Sequence, residues 1–230
     1  KSLNPDIAKQ WDYKKNEIAN WLLDFYGINP NLTPDLVDNF TNQGATNSKS
    51  SEETGLNIGI PITYRAGDQP NNALALNVFD NGEVAASGGT SGVIYSITND
   101  INSKEPSRIN HFAHVNYNDN NKSIGKLLCI NGAGIQYRWL RNHSVGKSYE
   151  KMNEAASSIP VGSEGISVIP FGNGAERMLN NKNIGTHICN INLNQHSHGH
   201  LYRSSLEGIA FSFMYGMEIL KNDNALINVV

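Results

Sequence analysis

The 230-residue chain contains only two cysteines and 17% charged residues, and it lacks both a long hydrophobic run and a cluster of basic residues. One uncharged stretch, residues 84–99, is interrupted by three glycines, so it falls short of the about 20 continuous apolar residues of a membrane-spanning helix. Lysine and arginine number 18 against 21 acidic residues, which leaves no basic stripe for a phosphate backbone. We therefore expect neither a membrane protein nor a nucleic-acid-binding protein.

The two cysteines, Cys129 and Cys189, are too far apart for a metal motif or a disulfide framework. Free thiols buried in strands suit a reducing compartment, so we expect a cytoplasmic protein. The sequence begins at Lys1 without the succession of basic, apolar and small residues that marks a signal peptide. The sequence also begins without a methionine, and residues 225–230 resemble the beginning of a strand. We therefore expect the chain to be truncated at both ends.

Helical and strand patterns alternate along the chain, which is long enough for one large domain or two small ones. The predicted helices cover residues 11–26, 49–54, 68–79, 149–158 and 200–220, with another beginning at Gly132. The predicted strands cover residues 60–64, 83–87, 92–97, 111–117, 126–130, 165–170 and 184–193. This alternation predicts an α/β fold in which helices flank a mixed sheet.

The segment Gly67-Asp68-Gln69-Pro70 begins one of these helices. An aspartate at this place is typical of a helix N-cap, with proline in the first turn. The same carboxylate is of the type that accepts a proton from a reacting hydroxyl. The sequence leaves both roles open, and they are compatible.

Two glycine-rich segments are candidates for binding an anion. Gly88-Gly89-Thr90-Ser91-Gly92 joins two strands as a hairpin turn with exposed backbone N–H groups. Gly132-Ala133-Gly134-Ile135-Gln136 follows a strand and precedes a helix, where free amides point outward. An ordinary hairpin turn and an ordinary strand-to-helix turn are the alternatives.

Taken together, these segments resemble the FGGY family of carbohydrate kinases. Residues 172–177 look like that family's Gly-Glu-Arg loop, and residues 200–208 are similar to its second signature. Within the family the likeness is closest to the xylulose kinases and extends over essentially the whole chain. One departure is Asn190-Ile191, which stands where the family has a glycine and an aliphatic residue.

The resemblance implies an incomplete actin-like ATPase (ribonuclease H-like) fold. Residues 1–78 would form the C-terminal part of the first, sugar-binding domain, and residues 79–230 most of the second, nucleotide-binding domain. In that family's scheme Asp68 is the catalytic base, and the sugar contacts are Asp68 and Gln69. The nucleotide contacts implied by the resemblance are Thr90, Gly132 and Gln136. No P-loop lysine is present, so Mg²⁺ is expected to neutralise the phosphates of ATP, without a metal ligand from these residues.

The implied function is ATP-dependent phosphorylation of a sugar hydroxyl, with D-xylulose converted to D-xylulose 5-phosphate. Sugar and ATP are the expected partners, and a homodimer is an option. Glycerol, ribulose and gluconate are alternative substrates, and a non-catalytic binding relative or an actin-like ATPase are alternative functions. The family's first phosphate loop and adenine motif fall outside these residues, so we expect the chain alone to be inactive.

Other polar and aromatic residues receive structural interpretations. We expect Glu176 and Arg177 to form an ion pair that braces a loop, and Glu207 to cap a helix or interact with its dipole. A solvated loop is favoured over a metal site for three histidines: His196, His198 and His200. Core or interdomain packing is expected for three tryptophans: Trp11, Trp21 and Trp139.

Overall fold

The computed structural model describes residues 11–230 apart from 13, 16, 34–36, 119 and 145–147. The helices are α1 (Asn20–Phe25), α2 (Ser48–Thr54), α3 (Asp68–Ala75), α4 (Gly134–His143), α5 (Tyr149–Ser157) and α6 (His198–Asn222). The strands are β1 (Trp11–Asp12), β2 (Glu17–Ile18), β3 (Val84–Gly88), β4 (Gly92–Thr98), β5 (Asn110–Ala113), β6 (Ile124–Ile130), β7 (Ser167–Ile169) and β8 (His187–Cys189). Elements of both types alternate, as the sequence predicts.

A four-stranded antiparallel sheet with the order β3-β4-β6-β5 forms the centre of the molecule. Strands β3 and β4 form the predicted hairpin, in which Gly88 pairs with Gly92. β6 pairs with β4 from Gly92–Ile130 to Thr98–Ile124. All strand pairs in this sheet are antiparallel, and an isolated parallel bridge joins Glu83 to Val229 beside β3.

The sheet is covered on both faces, because alternate residues of each strand point in opposite directions. One face packs Tyr95 and Leu127 against Ala73 and Val78, at and just beyond α3. The opposite face packs against α6 through a second core cluster: Val84, Ile94, Leu128, Ile130, Met178, Ile219 and Leu220. The beginning of α3 and the beginning of α4 are thereby fixed relative to one sheet.

Helix α6 buries a face that agrees only in part with the predicted one. We expected Leu206, Ala210, Phe213, Met217 and Leu220 to pack on the sheet. Leu220 is buried in the core and Phe213 and Met217 pack against it, as expected, whereas Leu206 and Ala210 are exposed. The buried face also contains small residues such as Gly208 and Gly216, because the helix approaches β7 and the sheet closely. A Cβ at Gly208 would lie 2.2 Å from the carbonyl oxygen of Val168.

Three other predictions about secondary structure were wrong in extent. Residues 11–26 contain a short β1–β2 pair before α1, and the helix buries Leu23 rather than its aromatic residues. Residues 60–64 form no strand, only a bridge between Pro61 and Ala45. Within residues 184–193, only β8 is a strand. In each case the apolar residues that suggested a longer element are largely exposed, so no packing sustains it.

The tryptophans are not core residues where their side chains are described. Trp21 is 62% exposed and Trp139 is 55% exposed, so core packing was the wrong expectation for both. The side chain of Trp11 lies outside the described residues. Cys129 and Cys189 lie in strands as expected, and both are free and half-buried.

A group of buried ionisable side chains, which we call the buried ion cluster, consists of Lys126, Asp223 and His111. Lys126 Nζ lies 2.9 Å from Asp223 Oδ2, and both side chains are fully buried. His111 Nε2 lies 3.4 Å from the same oxygen. Asp223 joins the end of α6 to β6, and its other carboxylate oxygen accepts from the hydroxyl of Ser103 at 3.0 Å. None of these contacts was anticipated from the sequence.

In the described part of the chain, no helix combines the length and the apolar character needed to cross a bilayer.

Candidate functional site

The hairpin tip between β3 and β4 contacts the beginning of α4 directly. The N–H of Gly134 donates to the carbonyl oxygen of Gly89 at 3.1 Å, and the N–H of Ile135 donates to that of Thr90 at 2.9 Å. These amides have no acceptor within their own helix, so the hairpin tip caps α4. A Cβ at position 134 would lie 2.2 Å from the oxygen of Gly89, so only glycine permits this approach.

The carboxylate of Glu176 holds the turn between β6 and α4 through two backbone N–H groups. Its Oε2 accepts from the N–H of Asn131 at 2.9 Å and from that of Gly132 at 3.1 Å. Burial raises the pKa of Glu176, and hydrogen bonds from the amides of Gly132, Met178 and Asn131 oppose that rise. The expected ion pair with Arg177 was wrong: the Arg177 Nε donates to the carbonyl oxygen of Ser107.

Other amides at the same place remain open. Among the described residues, the N–H groups of Thr90, Ser91 and Ala133 have no hydrogen-bond acceptor. The Gly132 N–H, in contrast, is bonded to Glu176. The open donors therefore lie at the hairpin tip and one residue further along the turn than the sequence suggested.

Gln136 lies in the first turns of α4 and is 5% exposed. Its Nε2 donates to the hydroxyl of Ser205 at 3.2 Å, whereas its Oε1 is buried without a partner among the described residues. The side chain borders a cavity of about 490 Å³. The other residues around this cavity are Ile135, Trp139, Gly172, Thr186 and Ile188. A buried acceptor without a donor is costly, which favours a ligand that supplies one.

Asp68 is the first residue of α3 and is exposed. Gly67, not Asp68, occupies the N-cap position, so the N-cap interpretation was wrong. The Asp68 Oδ1 accepts from the N–H of Gln69 at 2.8 Å, and the Gln69 Nε2 lies 3.4 Å from Oδ2. The two predicted sugar-binding residues are therefore in contact, and the carboxylate retains acceptor positions that face solvent.

Helix α3, which begins at Asp68, packs on the face of the sheet that includes Cys129. Ala73 of α3 belongs to the core cluster against which Cys129 packs. Burial raises the pKa of Cys129; Arg177 opposes this rise, while Glu176 and Asp68 add to it. Cys129 is one residue before the end of β6, the strand that leads into the turn at Gly132.

The histidines and Glu207 have local partners. The Nδ1 of His200 accepts from the N–H of Ser197 at 3.0 Å, and its Nε2 lies 3.2 Å from a carboxylate oxygen of Glu164. Glu207 accepts from the N–H of Gly162 at 3.0 Å and from Arg203 Nε at 2.7 Å. Glu207 therefore braces a neighbouring turn, and the expected role at the helix start was wrong.

A second cavity, of about 380 Å³, lies between the hairpin tip and α4. The residues around it include Gly88, Gly89, Thr90, Ala133, Gly134, Tyr137, Arg138, Tyr149, Leu206 and Ile209. The sequence analysis did not single out Arg138, whose guanidinium reaches the Thr90 hydroxyl at 3.5 Å. Its spacing of four residues from Gly134 could have indicated this, because such residues share one helix face.

Comparisons with curated proteins find similar sequences among xylulose kinases and gluconokinases. No family model matches the sequence. The chain is 24% identical over 223 residues to the xylulose kinase of Bacillus subtilis, which covers 96% of the chain and 42% of that protein. The chain thus spans about two fifths of the length of the curated relatives it matches.

Solved structures show the same fold. The ligand-bound xylulose kinase from Lactobacillus acidophilus superposes with a TM-score of 0.82 at 19% identity, covering 96% of this chain and 44% of that one. The Plasmodium falciparum glycerol kinase with ADP gives a TM-score of 0.82 at 20% identity, covering 93% and 42%. The fold is therefore part of the fold of these kinase structures, as the resemblance implied. In sequence, the chain is similar to xylulose kinases and gluconokinases of bacteria.

Proposed function

We propose that this chain is part of an ATP-dependent sugar kinase in which Asp68 is the catalytic base. The observation that supports this most directly is the position of an exposed carboxylate at the end of the sheet where amides are left open. Asp68 begins α3, whose Ala73 belongs to the core cluster against which Cys129 packs near the end of β6. The N–H groups of Thr90 and Ala133, which have no acceptor among the described residues, lie at the hairpin tip and in the turn that follows β6. Phosphoryl transfer uses a group that accepts the proton of the attacking hydroxyl and hydrogen-bond donors that bind the phosphate oxygens.

In the proposed reaction, the oxygen of a sugar hydroxyl attacks the γ-phosphorus of ATP. The bond between that phosphorus and the β,γ-bridging oxygen breaks, and ADP leaves with the electron pair. Asp68 accepts the hydroxyl proton. Gln69, whose amide contacts the carboxylate, orients it and donates to another sugar oxygen.

The proposed nucleotide contacts are Thr90, Gly132 and Gln136. The Thr90 hydroxyl and the open amides beside it would donate to phosphate oxygens, and the unpaired Oε1 of Gln136 would accept from the nucleoside part. Gly132 would act through its place in the turn, because its N–H is bonded to Glu176 and its missing side chain admits the backbone of Phe171. In the described residues, no three potential ligands are grouped for a metal, so Mg²⁺ would be held mainly by phosphate and water. When bound, Mg²⁺ supplies positive charge to the phosphates.

For the substrate, we propose D-xylulose, converted to D-xylulose 5-phosphate, because xylulose kinases recur among the relatives. Gluconate, glycerol and ribulose are the alternatives. We further propose that residues 1–78 and 79–230 belong to two domains that enclose the substrates, and that the protein acts in the cytoplasm. The chain alone would then be inactive, because it spans about two fifths of its relatives.

Sugar-dependent release of ADP in the full-length protein tests this proposal, with D-xylulose, ribulose, glycerol and gluconate compared. We expect Asp68→Asn to lower turnover by about 10²–10⁴-fold, the usual contribution of a general base. The matched control Asp24→Asn, an exposed aspartate on α1, should leave it unchanged. Full activity in Asp68→Asn would exclude this residue as the base, and no sugar-dependent ADP release from folded protein would favour a non-catalytic binding relative.

A further inference from the structure

Arg138 lies in the middle of α4 with an exposed side chain. Helical side chains lean toward the N-terminus of their helix, and Arg138 follows Gly134 by one turn. Its guanidinium therefore extends back to the hairpin tip, where Nη1 lies 3.5 Å from the Thr90 hydroxyl oxygen. No signature motif of the sequence includes this residue.

The charge of Arg138 is unpaired, in contrast to the charges of Arg108 and Arg203. Arg108 lies 2.5 Å from a carboxylate oxygen of Glu105, and Arg203 lies 2.7 Å from one of Glu207. Among the residues described, no carboxylate lies within 4.0 Å of Arg138. A guanidinium has five N–H donors, and the contact with Thr90 occupies one of them.

Arg138 also borders the cavity of about 380 Å³ that opens beside the hairpin tip. Thr90 and Ala133 line the same cavity, and their N–H groups have no acceptor among the described residues. Neutral donors and one unpaired cation thus face a common space. Phosphate is the ligand chemistry that such a set recognises, because planar guanidinium groups bind its oxygens in pairs.

We propose that Arg138 binds the terminal phosphates of the nucleotide and supplies the positive charge that a P-loop lysine would otherwise supply. This inference rests on the proposed kinase function and adds a residue to it. Charge spreads over the outer oxygens of the phosphoryl group as it is transferred, so a guanidinium there stabilises the transition state as well as the bound nucleotide. If Arg138 is only a solvated surface residue, its removal will affect neither.

Isothermal titration of the full-length protein with ADP and with adenosine separates the two cases. We expect Arg138→Gln to weaken ADP binding about tenfold or more, since hydrogen bonds to charged groups are strong, and to leave adenosine binding unchanged. Arg138→Lys, which keeps the charge but not the planar fork, should be intermediate. The matched control Lys151→Gln removes an exposed charge from α5 and should behave as wild type.

Unchanged ADP affinity in Arg138→Gln would overturn the proposal, as would an equal loss of adenosine affinity or a wild-type protein that binds no ADP. The failure of the kinase function is distinguishable from this. If wild type binds ADP but releases none in the presence of any sugar, the proposed reaction fails, while a selective loss of ADP affinity in Arg138→Gln still supports a phosphate-binding role. In an active protein, we also expect Arg138→Gln to lower kcat, and Arg138→Lys to restore part of it.

Discussion

The two ends of the central sheet treat polar groups in opposite ways. At the far end, the buried ion cluster places Lys126 and Asp223 in direct contact with no exposure to solvent. At the hairpin end, where β3 meets β4 and β6 leads into α4, the amides of Thr90 and Ala133 are open and the charge of Arg138 is unpaired. Lys126 and Asp223 are paired within the chain, whereas these groups at the hairpin end have no acceptor or counter-ion among the described residues.

This difference distinguishes buried polar groups that affect the stability of the fold from unpaired groups that could contact a ligand. Buried polar groups are costly unless paired, so the far end should depend on every partner. The exposed side chains of Thr90 and Arg138 are solvated by water, so their loss should cost little stability. Substitutions along the sheet should therefore have decreasing effects on unfolding, from the far end to the hairpin tip.

The largest effect is expected in the buried ion cluster. Lys126→Met should lower the free energy of unfolding by about 3–5 kcal/mol, because it leaves the carboxylate of Asp223 buried without its main partner. Hydrogen bonds from Lys126 and Lys104 hold the pKa of Asp223 below its ordinary value although burial opposes them. Urea denaturation measures the change. The double variant Lys126→Met/Asp223→Leu should recover part of it, and a loss below about 1 kcal/mol in the single variant would contradict the comparison.

His114, also at the far end, should make stability depend on pH. Its Nε2–H donates to the carbonyl oxygen of Val78 at 3.1 Å, so its Nδ1 accepts from the Tyr95 hydroxyl at 3.2 Å. Burial lowers the pKa of His114 to about 4 from 6.5. The folded state therefore disfavours the charged form, and its contribution is fully present above pH 6.5 and is lost as pH falls toward 4.

The shift corresponds to about 3 kcal/mol over that interval. Urea unfolding between pH 4 and 7 should show this slope in wild type and a flatter profile in His114→Gln, which cannot titrate. Equal slopes in the two proteins would show that His114 is not the group responsible.

At the hairpin end, the carboxylate of Glu176 accepts hydrogen bonds from the amides of Asn131 and Gly132, so this side chain should contribute to stability. Glu176→Ala should lower the free energy of unfolding by roughly 1–3 kcal/mol, because the N–H groups of Asn131 and Gly132 lose their acceptor. Glu176→Gln, which retains an acceptor oxygen, should lose less. The raised pKa of Glu176 also means that its contribution declines as pH rises through that pKa, and the glutamine variant should lack this decline. Urea midpoints compared across pH would detect both differences.

The sequence predicted the hairpin end better than the packing between elements. Local chemistry determines the Gly88–Gly92 turn and the start of α3, so both were located from a few residues. Which face of α6 is buried depends instead on how closely the helix approaches β7 and the sheet. Gly208 and Gly216 allow a close approach, and a search for hydrophobic residues at helical spacing does not detect glycines. Glu176 lies 44 residues from Gly132, so its partner was not accessible to reasoning from neighbours in sequence.

For the candidate site, the sequence indicated which residues to consider, but it did not indicate their hydrogen-bond and ion-pair partners. Asp68 and Thr90 were singled out from motifs, and their roles stay predictions. The resemblance implied a nucleotide contact at Gly132, whose N–H is bonded to Glu176. The unpaired charge of Arg138 depends on which carboxylates lie nearby in space. Neither the resemblance nor the spacing of residues determines that.

The smallest effect on stability is expected at the hairpin tip itself, and this makes Thr90 the most discriminating position. Thr90→Val keeps the β-branched shape and removes only an exposed hydroxyl, so the free energy of unfolding should change by less than about 0.5 kcal/mol. If the open groups serve a nucleotide, ADP affinity should nevertheless fall severalfold, because a hydroxyl donor to a charged oxygen is lost. Urea denaturation and titration with ADP on the same variant measure the two quantities. A large loss of stability would mean that the Thr90 hydroxyl contributes to folding, and the contrast between the two ends of the sheet would then have another origin than ligand binding.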